Sequence, residues 1–156
     1  MKKALALVAS MVPGMIATAP VWAEVYVIED GAGDKPLVIE KDDPALADVP
    51  DINGLPNEGF SYATRYITAG TGLRVHHGRV EANGSIAVHE GANVYVLYVV
   101  NGSGRLFNTD PDGEVTSEVL YKANDIIVFR EGTLHGWKNG EEQFDFIGFE
   151  QYPPKS

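Results

Sequence analysis

The chain has 156 residues, 44% hydrophobic and 22% charged, which is the make-up of a soluble globular domain and excludes a disordered or fibrous chain. Its formal net charge is −10 at pH 7. A field of that sign repels nucleic acid and anionic lipid, so neither is expected as a partner.

Lys2-Lys3, the apolar run from Ala4 to Ala19, and Val21-Trp22-Ala23 before Glu24 have the three parts of a secretory signal, and residues 1–23 are read as one. The run is broken at Pro13-Gly14 and is short for a bilayer span of about 20 apolar residues. No membrane association is expected after cleavage, and the product is expected in the periplasm or the medium. Setting aside the first 23 of 156 residues leaves 133, enough for one core and too few for two. Lys2 and Lys3 leave with the signal while all 22 acids stay, so the charge moves from −10 to −12. There is no cysteine, and Met1, Met11 and Met15 all lie in the removed segment. The mature chain therefore has no sulfur: packing alone must stabilise it, and any metal must be held by nitrogen and oxygen. Its histidines are His76, His77, His89 and His135.

Val25 to Ile28 and Leu37 to Ile39 read as edge strands. Asp42 to Gly59 is acidic, carries Pro44, Pro50 and Pro56, and reads as a surface arm, either a solvated loop or a lid. Asp43-Pro44 can open one helical turn through Leu46. From Phe60 onward the pattern is of strands throughout. Phe60 to Thr68 is rich in aromatic and β-branched residues and ends at Gly70-Thr71-Gly72. Leu73 to Glu81 meets Asn83-Gly84, a turn signal, and is followed by Ser85 to His89. Val94 to Val100 is a dense apolar strand ending at Asn101-Gly102. Arg105-Leu106-Phe107 runs into the turn Asp110-Pro111-Asp112-Gly113. Val115 to Tyr121, Ile126 to Phe129, Leu134 to Trp137 and Phe144 to Glu150 complete the series. Many short, evenly spaced strands predict an all-β sandwich or closed barrel over residues 60–152, preceded by the arm over 24–59.

Two segments stand out together: Gly84 to Gly102, containing His89, and Asn124 to Asn139, containing His135. Here the sequence resembles the cupin superfamily, whose first motif is G-x5-H-x-H-x3,4-E-x6-G and whose second is G-x5-P-x-G-x2-H-x3-N. His89, Gly102, Gly132, His135 and Asn139 fall on matching positions. Gly84 lies one residue too close to His89, and Asp125 matches a frequent residue of the second motif's opening. The resemblance implies a single cupin-type jelly-roll β-barrel with an interior pocket for a small organic molecule, and a homodimer.

The same resemblance implies a divalent metal held by two histidines and a glutamate of the first motif and one histidine of the second. His89 and His135 keep two of those places. Gly91 stands at the second histidine and Tyr95 at the glutamate, while Asn124 and Arg130 replace the opening glycine and the proline of the second motif. Glu90, next to His89 on a strand, is expected on the opposite face. A two-residue hairpin at Asn83-Gly84 would pair Gly78 with His89 and bring His76 to its face; a loop one residue longer would bring His77. The candidate metal ligands are thus His89, His135, Tyr95 and His77, with His76 the alternative to His77 and with iron, manganese, zinc and nickel not distinguished.

Two functions lead on the sequence, ahead of a metal-free enzyme using Tyr95 and a histidine as an acid/base pair. One is a metal-dependent lyase, isomerase or oxygenase, with Tyr95 as ligand or general acid/base and Arg130 as a clamp for a substrate carboxylate. The other is a metal-free small-ligand-binding protein without catalytic activity.

Overall fold

The computed structural model describes residues 25–29, 38–42, 45–66 and 72–151. Residues 1–23, Asp43-Pro44 and Gly70-Thr71, where an export signal, a helical turn and a strand end are expected, lie outside them. Among the described residues every regular element is a β-strand. β1 (Val25–Glu29) and β2 (Val38–Asp42) pair with each other. The arm carries β3 (Ala47–Asp48), β4 (Asp51–Ile52) and β5 (Leu55–Pro56). The barrel strands are β6 (Glu58–Tyr66), β7 (Leu73–His89), β8 (Tyr95–Asn101), β9 (Ser103–Thr109), β10 (Val115–Lys122), β11 (Ile126–Phe129), β12 (His135–Asn139) and β13 (Phe144–Gln151).

These strands form one curled antiparallel sheet in the order β10-β9-β12-β7-β13-β8-β11, with β6 on β7 and β3 on β6. Alternation builds the core. Leu97 and Val99 of β8 are buried while Tyr98 and Val100 are exposed; in β13, Phe144 and Phe146 point inward, followed in phase by Gly148 and Glu150. Phe60, Val80, Ile86, Leu106, Tyr121, Phe129 and Trp137 complete the cluster. Burying each such side chain contributes about 1.5–3 kcal/mol, which is how a chain without disulfides holds together.

Asn83-Gly84 does not form the expected hairpin. β7 runs unbroken from Leu73 to His89, and the pair marks a corner inside it. Asn83 takes the left-handed φ of 60°, and its N–H donates to Gly140 O at 2.7 Å. A side chain at Gly84 would run into Glu58 O. Before the corner β7 pairs with β6 and β13; after it, with β12 and, at Ser85 alone, with Glu58 of β6. Gly78 therefore faces Phe146 and Tyr62, not His89.

The hairpin signal is realised instead in the arm, at Asn53-Gly54, with φ of 55° and 79° between β4 and β5. The arm is tied down. Val49 N–H donates to Phe60 O, and the Asn57 side chain donates to Val49 O at 2.9 Å while accepting from Ala87 N–H at 2.8 Å. Val49 and Ile52 pack against the core, so this segment closes over the barrel as a wall of its cavity.

Candidate functional site

His89 ends β7 and His135 begins β12, and the two are direct cross-strand partners. Strict alternation from buried Ile86 would turn Val88 inward and His89 outward. The ladder steps three residues on β7, from Ile86 to His89, against two on β12, from Trp137 to His135. That bulge reverses the phase. Val88 consequently packs outside, near Gly136, and His89 joins Ile86 on the inner face.

The two imidazole centroids lie 4.4 Å apart with their planes at 52°. His89 Nδ1 is 2.8 Å from Ala87 O, and His135 Nδ1 is 2.8 Å from Thr133 O. A carbonyl can only accept, so each Nδ1 carries the proton and each neutral ring presents an unprotonated Nε2. Burial favours that neutral form. It lowers His89, and it holds His135 at about 4, the neighbouring His89 adding to the effect. Phe129 stacks on His135 at 4.0 Å and 20°.

Both rings line a cavity of about 370 Å³. Its walls are aromatic and aliphatic: Phe60, Ile86, Phe129, Trp137 and Phe146, with Val49 and Ile52 from the arm. At another part of the wall sits a second polar group. Glu150, buried near the end of β13, accepts from His76 Nε2 and from Asn93 Nδ2, each at 3.1 Å, and Arg74 Nε lies 3.8 Å away. His76 is stacked on Tyr62, and its Nδ1 is 3.1 Å from Thr64 Oγ1. Burial lowers its pKa, against the pull of Glu150, so the neutral ring donates from Nε2 and accepts at Nδ1.

The expected residues divide accordingly. His89 and His135 meet. Tyr95 lines the same cavity, but its hydroxyl is hydrogen-bonded with that of Tyr62 and lies over Gly148, and its ring touches His76 and Phe129. Burial raises both phenols well above their usual range, which makes Tyr95 unsuited to lose a proton to a metal. His77 is not brought to the cavity: β7 alternation sends it to the face opposite His76, beside Arg79 and Asp145. Arg130 is exposed in the connection between β11 and β12 and does not line the cavity. Glu90, expected to face away, does line it, because β7 ends at His89 and strand alternation stops there. Glu150 and Asn93 were missed. The alternation Phe144, Phe146, Gly148, Glu150 was a usable signal for the first; nothing local pointed to the second.

Neither a protein-family model nor a curated protein matches the sequence. Solved structures do. A cupin 2 conserved barrel domain protein from Rhodopseudomonas palustris superposes with a TM-score of 0.59 at 12% identity, over 74% of this chain and 77% of that one. The polyketide cyclase RemF from Streptomyces resistomycificus gives 0.55 at 20% identity, over 73% and 78%. Oxalate decarboxylase of Bacillus subtilis, a protein with Mn(II) centres, gives 0.54 at 18% identity, over 64% of this chain but 28% of that longer one. The fold is that of the cupin superfamily, a jelly-roll β-barrel.

The donor set does not fit the metal centre that the motif resemblance implies. His89 and His135 have the tautomer of metal-binding imidazoles, with Nδ1–H fixed by a backbone carbonyl. Yet no group of three His, Asp or Glu side chains among the described residues is placed to hold one ion. Tyr95 is engaged with Tyr62, and His77 is on the other face.

Proposed function

We propose that this chain is a small-molecule-binding protein that holds an uncharged or cationic organic ligand in the barrel cavity, with His89 and His135 accepting hydrogen bonds from it. The facing pair of neutral imidazoles, each locked with its Nε2 unprotonated, carries the reading. The cavity has the size and the apolar walls of small-ligand sites, with a few polar groups to set orientation. Residues 1–23 support action outside the cytoplasm; a mature chain beginning at Glu24 would show the cleavage.

Trp137 lines the cavity and is the sole tryptophan after residue 23, so its emission reports on binding. Small phenols and aromatic alcohols are expected to change that emission saturably, with and without EDTA. His89→Ala and His135→Ala should each weaken the response about tenfold, the worth of one hydrogen bond to a buried partner. A stoichiometric metal that vanishes in His89→Ala, with a large fall in melting temperature on adding EDTA, would replace this reading with a metal-dependent one.

A further inference from the structure

Among the described residues, the charged ones lining the cavity are Glu90 and Glu150, and no lysine or arginine lines it. With His89 and His135 presenting unprotonated Nε2 atoms, the wall offers hydrogen-bond acceptors on two sides. Of its side-chain donors, the Asn93 amide gives one hydrogen to Glu150 and the Tyr95 hydroxyl donates to Tyr62. Glu150 is a built group. It is 8% exposed, reached by strict alternation along β13, and gripped through Oε2 by His76 and through Oε1 by Asn93. Those two donors occupy one acceptor site on each oxygen, out of about four on a carboxylate. Arg74, at 3.8 Å, offsets part of its charge without lining the cavity.

We propose that the pocket selects a small protonated amine with an apolar body, its ammonium read by Glu150 and its body seated among the aromatic rings. The inference rests on the small-molecule reading above and adds the ligand's charge class. The rings contribute in the same direction, because the faces of Phe60, Tyr62 and Phe129 attract a cation. A carboxylate ligand would meet two carboxyl groups and two lone pairs, with no cation among the described residues of the wall to pair with. Selection against anions is thus built into the same residues that favour the amine.

Titration calorimetry with phenethylamine, phenethyl alcohol and hydrocinnamate tests this with one body and three head groups. The amine is expected to bind about tenfold more tightly than the alcohol, as a charge-assisted hydrogen bond replaces a neutral one, and the acid more weakly than either. Glu150→Gln should remove most of the amine's advantage and leave the alcohol within about threefold. If the acid binds as tightly as the amine, or Glu150→Gln binds the amine as well as the native protein, the charge selectivity is wrong while the pocket stands. If none of the three binds, the small-molecule reading fails and this inference with it.

Discussion

Trp137→Ala is expected to lower the unfolding free energy by about 3–5 kcal/mol, a large share of the roughly 5–15 kcal/mol that holds such a domain together. Trp137 is 3% exposed on β12 and touches more of the core's rings than its neighbours do. It stacks on Phe144 at 5.4 Å and meets Tyr121 and Phe129 edge-on at 5.2 and 5.8 Å. Removing it opens a hole between β7, β12 and β13, and joins that hole to the ligand cavity. Surrounding strands cannot collapse into it, because the close approach at Gly104 already brings the Tyr121 ring against the backbone. Urea unfolding followed by far-ultraviolet circular dichroism measures the loss. Trp137→Phe should recover part of it, and a loss under about 1 kcal/mol for the alanine variant would show that these rings do not carry the core.

The second large effect is on pH. His135 titrates at about 4 in the folded chain against 6.5 when exposed, so between those values only the unfolded chain takes up the proton. Stability is therefore full above pH 6.5 and falls as the pH drops toward 4, this one group accounting for a loss on the order of 3 kcal/mol. Burial shifts His89 and His76 in the same direction, so the fall is steeper than one residue would give. The denaturation midpoint should decline through this window, and His135→Asn should flatten the decline. Equal slopes in the two proteins would mean that His135 titrates normally. Ligand binding by the folded chain is expected to persist through this window and to fade only near pH 4, where the folded His135 ring takes up its proton and no longer accepts.

The fold was legible because its signals are redundant: strand after strand shows the period of two, and His89, Gly102, Gly132, His135 and Asn139 keep cupin spacing where other motif positions depart from it. The Asn-Gly pairs show where local reading stops. Asn53-Gly54 and Asn83-Gly84 both adopt left-handed φ at the asparagine, yet one closes a hairpin and the other bends a continuous strand. The difference lies in which distant strands compete for the flanking residues, and that is not local information. His89 and His135 were legible as a pair. The site's remainder was less so, for two reasons: a bulge set the phase of His89, and Glu150 gains its meaning only from His76 and Asn93, which lie 74 and 57 residues earlier. Arg130 looked suitable by position in the motif but belongs to a connection that points to solvent.

Nuclear magnetic resonance of the histidine ring nitrogens in nitrogen-labelled protein tests the central claim most directly. At about pH 7, the account predicts that His89 and His135 are both neutral, protonated at Nδ1 and bare at Nε2, and that phenethyl alcohol shifts both Nε2 signals. Imidazolium rings, or the opposite tautomer at either residue, would contradict it.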